Sequence, residues 1–194
     1  MGGLSILFGY LAGSVPFAFL LARRAGIDVR RAGSGNVGAA NVLRTTGVWR
    51  GVLVMALDVA KGAAAVAIAH VSSSGNGIAA LTGAAAVVGH IYPVWLRFHG
   101  GKGVAVAAGV FAILSPVATA IAMSLFLLIV WTTRYVSLGS VAATLALPPA
   151  AWLTGAPGAV VGAAAGTAGL ILFRHRANLG RLRSGTERKI SRRR

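Results

Sequence analysis

The chain has 194 residues, of which 56% are hydrophobic and only 11% are charged, whereas a typical soluble domain is about 25% charged. This composition excludes an ordinary soluble domain and predicts a polytopic membrane protein, with residues 1–194 forming a single membrane domain. The apolar runs are continuous and rich in Ala, Leu, Val and Gly, which argues against a transmembrane β-barrel. The absence of cysteine excludes disulfides, thiolate metal sites and thioester intermediates.

The charge balance is strongly basic, with 19 Lys and Arg residues against three acids, Asp28, Asp58 and Glu187. Cytoplasmic loops of membrane proteins collect Lys and Arg, and anionic lipids or anionic substrates favour the same surplus. Because the basic residues lie between apolar runs, we weigh topology first, an anionic substrate second and nucleic acid last. We expect no nucleic-acid partner.

The apolar runs predict an all-α bundle of seven transmembrane helices. The first run has 19 uncharged residues, enough to cross a bilayer, and it lacks the basic start of a secretory signal. Arginines follow it, so the N-terminus is expected outside. The predicted spans cover residues 4–22, 48–71, 78–96, two short spans within 104–133, 136–154 and 158–173.

The segment 104–133 decides whether the number of spans is odd or even, and therefore on which side of the membrane the C-terminus lies. As one span it is too long, and it would place the nine Lys and Arg residues of the C-terminal tail outside. Two short spans that turn near Ser115 and Pro116 place every Lys and Arg except Lys61 on the inner side. The C-terminus, with a basic and frayed tail at 184–194, is then cytoplasmic.

Three features lie inside the predicted spans. Pro16 predicts a kink that frees a backbone carbonyl, to which we assign no chemistry. Asp58 and Lys61 are three residues apart on one helix face and can neutralise each other. A structural ion pair is at least as good an interpretation of them as a catalytic one, because a charge inside a span usually faces the bundle interior. His90, near the end of the third span, is more typical of a structural histidine than of a base.

Two glycine-rich stretches lie on the predicted inner side. Residues 33–44 read Gly-Ser-Gly-Asn-Val-Gly-Ala-Ala-Asn-Val-Leu-Arg, and residues 100–103 read Gly-Gly-Lys-Gly. Glycine lets the backbone approach a ligand, successive N–H groups form an anion site, and a helix starting near Val37 adds its positive end. One such stretch is as easily a simple connector, but two on the same side indicate a phosphate site.

The inner face combines many hydrogen-bond donors with almost no carboxylates. We expect no metal, because the carboxylate, His or Cys clusters that bind Mg²⁺ and Zn²⁺ are lacking, and no cofactor. A serine triad is disfavoured because no Gly-x-Ser-x-Gly occurs, and the acyltransferase signature His-x-x-x-x-Asp is missing too. Electrostatic catalysis by positioned donors remains. Those donors are Ser34, Asn36, Asn41, Arg44, Lys102, Ser140, His175, Asn178 and Arg181.

Seven motifs resemble, in order and along the whole chain, the bacterial acyl-phosphate:glycerol-3-phosphate acyltransferases, the PlsY family. They are residues 14–17, 33–44, 57–62, 89–93, 98–104, 174–178 and 185–189. The resemblance implies a seven-span inner-membrane enzyme with a cytosol-facing site. It would transfer a fatty acyl group from acyl phosphate to the 1-hydroxyl of glycerol 3-phosphate, giving lysophosphatidic acid and phosphate, the first committed step of phospholipid synthesis. The implied partners are acyl phosphate, glycerol 3-phosphate and membrane lipids, and we expect a monomer.

The resemblance also implies the site residues, position by position. The implied catalytic residues are Ser34, Lys102, His175 and Asn178. The full set predicted to bind substrate is Ser34, Asn36, Asn41, Arg44, Gly101, Lys102, Gly103, Ser140, His175 and Asn178. Two positions depart from the family pattern, because Ala40 and Val106 stand where the family commonly has threonine.

No side chain in this set is a convincing base for the attacking hydroxyl. We interpret His175, which lies between Arg174 and Arg176, as a hydrogen-bond donor and not as the base. A substrate phosphate, with a second pKa near 6 by analogy with phosphoserine, can accept the proton. We therefore predict substrate-assisted catalysis.

Two alternatives share the same chemistry. A small anion transporter or channel would use similar basic, glycine-rich loops, but the polar residues here cluster at one membrane edge and no two-half symmetry is evident. An acyltransferase that uses acyl-CoA or acyl carrier protein as donor stays open.

Overall fold

The computed structural model describes residues 2–72 and 75–190, and within these ranges the chain forms helices and loops without a β-strand. The all-α prediction is therefore confirmed for the described part of the chain. Of the predicted outer turn, Ser73 and Ser74 lie outside the described residues, as do residues 191–194 of the predicted tail. The described residues form ten α-helices, which are α1 (Gly2–Ser14), α2 (Phe17–Arg23), α3 (Ala39–Thr46), α4 (Val48–Ser72), α5 (Gly75–Ile91), α6 (Val104–Leu114), α7 (Pro116–Thr133), α8 (Val136–Leu153), α9 (Gly158–Arg174) and α10 (Arg176–Arg183).

Helices occur at all seven places where spans were predicted. By length and composition, five helical segments of the described chain can cross a membrane, the first being α1 and α2 taken together. The bent pair α9 and α10, with an angle of 56° between its helices, raises the number to six. Helix α6 has only 11 residues, short of the roughly 20 that a span needs. Its boundary with α7 falls at Ser115 and Pro116, where the sequence predicted the turn.

The chain folds as two compact units, Met1–Leu114 and Ser115–Arg194. In the first unit α1 packs along α5, and α4 packs along α6. Glycines make both approaches close: a β-carbon at Gly13 would collide with the backbone of Ala86, and one at Gly109 would collide with the backbone of Val59. Small residues at helix contacts allow the backbones to approach, as is common in membrane bundles.

Pro16 separates α1 from α2. Because proline has no N–H and cannot continue the helical ladder, the backbone leaves the helical path at this point. The carbonyl oxygen of Val15 accepts a hydrogen bond from Lys61 Nζ at 2.8 Å. At the kink predicted from Pro16, the Val15 carbonyl, which also accepts the Phe17 N–H at 3.2 Å, thus binds a buried cation.

In the second unit α8 contacts α7, α9 and α10. The prediction of a frayed tail from residue 184 is wrong for 185–190. The Ile190 N–H donates to the Arg134 carbonyl at 3.0 Å, and Lys189 Nζ lies 5.0 Å from the centre of the Tyr135 ring. The segment has no regular secondary structure, but this backbone hydrogen bond and this cation–π contact hold it against the link between α7 and α8.

Candidate active site

Asn41 organises the first glycine-rich loop. Its side chain is 1% exposed. Its Oδ1 accepts the backbone N–H of Ser34 at 2.9 Å, and its Nδ2 donates to the carbonyl oxygens of Val29, Ala32 and Asn36, each at 3.0 Å. The sequence predicted that Asn41 binds substrate, whereas these four contacts are with the loop backbone. The structure makes Asn41 the residue that shapes the loop.

The loop that Asn41 holds ends at the start of α3. Gly33 and Gly35 have φ angles of 62° and 70°, values that suit glycine. The helix begins at Ala39, two residues beyond the predicted start, and its first N–H groups have no acceptor within the helix. Ser34 is exposed beside this helix end, and Arg44 is exposed in the last turn of α3. This is the arrangement of a glycine turn before a helix N-terminus, which favours anions.

The second glycine-rich loop differs from the predicted phosphate cradle. The Gly100 N–H donates to the Ile91 carbonyl at 3.1 Å, and the Gly101 N–H donates to the His90 carbonyl at 3.1 Å. Both amides thus cap the end of α5, so the amide of Gly101, predicted to bind substrate, already has an acceptor. Gly103 is buried with a φ of 89°, and Lys102 between these glycines is half-buried.

The two glycine-rich loops touch at Gly101. A β-carbon at this position would collide with His90 Nε2 and would lie 2.8 Å from the carbonyl oxygen of Val37. Only glycine allows this approach, because any side chain would displace the His90 ring or the first loop. The prediction that the two loops lie on the same side is confirmed within the first unit.

Asp58, Lys61 and His90 form a buried cluster behind these loops. Lys61 Nζ lies 2.8 Å from Asp58 Oδ1 and 3.1 Å from His90 Nδ1. The predicted ion pair between Asp58 and Lys61 is therefore confirmed, and His90 joins it. The three-residue spacing of Asp58 and Lys61 predicted their pair, but nothing in the sequence predicted the contact of Lys61 with His90.

Three predicted residues of the second unit lie at or in α10: His175 immediately precedes the helix, and Asn178 and Arg181 lie within it. His175, which is 2% exposed, donates its Nδ1–H to the Ile171 carbonyl at 2.8 Å, because a carbonyl oxygen only accepts. This fixes Nε2 as the ring nitrogen that can serve a substrate. Asn178 Nδ2 donates to Glu187 Oε1, and Arg181 Nε donates to Glu187 Oε2, each at 2.7 Å. Ser140, the predicted residue on α8, is buried.

Glu187 was not among the predicted site residues. Burial raises the pKa of its carboxyl, but the hydrogen bonds from Asn178 and Arg181 outweigh burial and hold the pKa below its ordinary value. Its signal in the sequence was its position as the one acid among the basic residues of the tail.

Asp28 and Arg30 form an exposed pair just before the first loop. Arg30 Nη2 lies 2.7 Å from Asp28 Oδ2, and the Arg30 guanidinium lies 4.8 Å from the centre of the Phe19 ring. Hydrogen bonds from the side chain and the backbone of Arg30 lower the pKa of Asp28 to about 2. The charge of Arg30 is thus already balanced within the protein.

The two departures from the family pattern occupy different surroundings. Val106 is fully buried in α6, where its side chain and carbonyl face Gly62 of α4. A valine suits this helix contact. Ala40 is half-buried in the first turn of α3, next to the first glycine-rich loop.

The apolar helices and the donor-rich loops define an integral membrane protein of the all-helical class. The chain belongs to the glycerol-3-phosphate acyltransferase family, whose model matches residues 3–185. The members of this family are enzymes of phospholipid synthesis. A glycerol-3-phosphate acyltransferase from Geotalea daltonii is 43% identical over 187 residues, which cover 96% of each chain.

Two crystal structures of PlsY, an integral membrane glycerol 3-phosphate acyltransferase, are similar over nearly the whole chain. Its glycerol 3-phosphate form has a TM-score of 0.94 and 41% identity, and the match covers 98% of this chain and 96% of that one. Its lysophosphatidic acid form has a TM-score of 0.91 and 41% identity, and the match covers 98% and 95%.

Proposed function

We propose that this protein transfers a fatty acyl group from acyl phosphate to the 1-hydroxyl of glycerol 3-phosphate, releasing lysophosphatidic acid and phosphate. The observation that carries the proposal is the chain-long likeness to a PlsY whose two structures are its glycerol 3-phosphate and lysophosphatidic acid forms. These are the acceptor and the product of the proposed reaction, which is the first committed step of phospholipid synthesis.

Acyl phosphate as donor agrees with the chemistry of the residues. The chain has no cysteine, so no thioester can form on it, and it needs no acyl-enzyme because a mixed anhydride is already activated. Both substrates carry phosphate, which suits donors such as Ser34, Arg44 and Lys102 in the first unit and His175 and Asn178 in the second.

In the proposed mechanism the glycerol hydroxyl attacks the acyl carbon, a new ester C–O bond forms, and the bond to phosphate breaks. The hydroxyl proton passes to a phosphate oxygen of the substrate. Ser34, Lys102 and Asn178 bind phosphate, with Asn178 oriented by Glu187. His175, with Nδ1–H committed to Ile171, donates from Nε2 in its imidazolium form, which the negative phosphate of the bound substrate favours and which stabilises developing negative charge.

We further propose a monomer with seven spans in the bacterial inner membrane, its N-terminus outside and its site facing the cytoplasm. The support is the placement of Lys and Arg, all of which except Lys61 lie on one side of such an arrangement. The short helix α6 and the 17 residues of α9 would then be the two shortest spans.

The test is a comparison of donors. Purified protein in lipid vesicles receives glycerol 3-phosphate with palmitoyl phosphate, palmitoyl-CoA or palmitoyl-acyl carrier protein, and lysophosphatidic acid is measured. The proposal predicts product with palmitoyl phosphate alone, and faster product from either thioester would contradict it.

A further inference from the structure

The buried cluster of Asp58, Lys61 and His90 has no part in the proposed reaction, yet it adjoins the predicted phosphate loops. The side chains of Asp58, Lys61 and His90 are 2%, 6% and 8% exposed. Charged groups are costly to bury inside a membrane and are usually functional when they occur there. The cluster therefore calls for a role.

The contacts of the Lys61 ammonium assign the tautomer of His90. Around the Lys61 ammonium lie Asp58 Oδ1 at 2.8 Å, the Val15 carbonyl oxygen at 2.8 Å and His90 Nδ1 at 3.1 Å. An ammonium has three N–H bonds and only donates, so Nδ1 accepts and the ring proton is on Nε2. With His90 neutral, the charges of Lys61 and Asp58 cancel.

His90 connects this cluster to both loops. Its carbonyl oxygen accepts the Gly101 N–H, and its Nε2 edge fills the space beside Gly101 where a side chain would otherwise lie. Gly101 in turn lies against the Val37 carbonyl of the first loop and directly precedes Lys102. A rotation of the His90 ring would therefore move Gly101 and Lys102 relative to the loop that carries Ser34.

We propose that Asp58, Lys61 and His90 are positioning residues that lock the His90 ring and thereby fix Lys102 beside the first glycine-rich loop for binding the phosphate of glycerol 3-phosphate. This inference rests on the proposed function. On one side, the His90 ring accepts a hydrogen bond from Lys61, which is itself held by Asp58 and by the Val15 carbonyl oxygen. From the other side the ring supports Gly101.

Two variants, one that removes a single charge and one that removes both, distinguish this positioning role from simple neutralisation of a buried charge. Lys61→Met leaves the Asp58 carboxylate unpaired, so it is expected to lower the unfolding temperature. Asp58→Asn combined with Lys61→Met removes both charges and should restore that temperature. The inference predicts that this double variant still has a KM for glycerol 3-phosphate at least about tenfold above wild type, whereas a merely structural pair would give a wild-type KM.

A second pair keeps the test decisive if the double variant does not fold. His90→Asn places an acceptor oxygen where Nδ1 lies, and His90→Leu has the same branched shape without an acceptor. The inference predicts tighter binding of glycerol 3-phosphate, measured by calorimetry, in the Asn variant than in the Leu variant. Equal affinities in the two variants, or a stable double variant with a wild-type KM, would overturn it.

The calorimetric measurement uses no acyl donor, so it separates the two proposals. Wild-type protein that binds no glycerol 3-phosphate would overturn the proposed function and, with it, this inference. Wild-type protein that binds and turns over normally, together with unaffected variants, would overturn the inference alone.

Discussion

Asn178 Nδ2 donates a hydrogen bond of 2.7 Å to Glu187 Oε1, across the end of α10. The same carboxylate accepts from Arg181 through its other oxygen, and its side chain is only 5% exposed. A side chain in a segment without regular structure thus orients a residue that we assign to phosphate binding.

Replacing Glu187 by alanine should lower both activity and stability. Asn178 and Arg181 would lose a buried, charged acceptor, and such a loss costs about 1–3 kcal/mol. Steady-state kinetics with glycerol 3-phosphate should show the loss in kcat/KM, and Thr186→Ala, an exposed neighbour, is the matched control. A kcat/KM for Glu187→Ala equal to that of the control would contradict the assigned role.

The stability of the protein should depend on pH through the same carboxylate. Its pKa in the folded state lies below the ordinary 4.5, so its contribution is complete above that value and is lost as the pH falls through the folded pKa. Thermal unfolding of wild type and Glu187→Gln should therefore differ by a constant amount near neutral pH and converge below about pH 4.5. A difference that grows in acid would contradict this sign.

Asn41 should tolerate neither alanine nor aspartate. Alanine leaves the Ser34 N–H and three carbonyl groups without their partner, at a cost of about 1–3 kcal/mol for each buried group left unsatisfied. Aspartate keeps the acceptor for Ser34 but turns an oxygen toward the three carbonyls. Both variants should bind glycerol 3-phosphate weakly in calorimetry, whereas Thr46→Val, which removes only the hydroxyl bond to the Val42 carbonyl, should bind normally. Normal binding of glycerol 3-phosphate by Asn41→Asp would contradict the role of Asn41 in shaping the loop.

Much of the helical framework was accessible from the sequence. Spans predicted at 48–71, 136–154 and 158–173 match α4, α8 and α9 to within one residue, because long apolar runs bounded by charges or turn residues leave little choice. The break between α6 and α7 was found by counting charges on the two sides.

The contacts that shape the site were less accessible. Asn41 was predicted as a substrate ligand because its side chain is polar and the loop is rich in glycine, but its partners are backbone atoms up to 12 residues away. Gly101 was predicted to bind substrate, and its amide caps the end of α5. Such contacts depend on how a loop returns to its helix, and neither periodicity nor composition carries that information.

Arg44 and Lys102 should matter far more to catalysis than Arg30. Alanine at either position should lower activity by about 1.5–3 kcal/mol or more, as expected for the loss of a charged donor. Arg30→Ala should change it by less than about 0.5 kcal/mol, because the Arg30 charge is already paired with Asp28. Equal losses of kcat/KM in all three variants would instead indicate a general electrostatic effect.

His175 should act as a donor and not as the base. Glutamine keeps an N–H near the position of Nε2 without a titrating ring, so His175→Gln should retain much more activity than His175→Ala. Its pH–rate profile should keep the acidic limb, because that limb belongs to the substrate phosphate. A glutamine variant as inactive as alanine, or one without the limb, would make His175 the base.

The topology is testable with single cysteines on the cysteine-free chain. Gly158→Cys, with open space around its β-carbon, should react in intact cells with an impermeant thiol reagent. Ser184→Cys, which is exposed, should react only after the cells are opened. Labelling of Ser184→Cys in intact cells would contradict the cytoplasmic C-terminus.

Direct acyl transfer from acyl phosphate to glycerol 3-phosphate can be tested by the stoichiometry of a single reaction. Wild-type protein in vesicles, given palmitoyl phosphate and glycerol 3-phosphate, should form 1-palmitoyl lysophosphatidic acid and inorganic phosphate in equal amounts, as measured by mass spectrometry and phosphate assay. It should form neither when glycerol 3-phosphate is left out, and Lys102→Ala should reduce both together. Release of phosphate without lysophosphatidic acid, or unchanged release without glycerol 3-phosphate, would contradict the account.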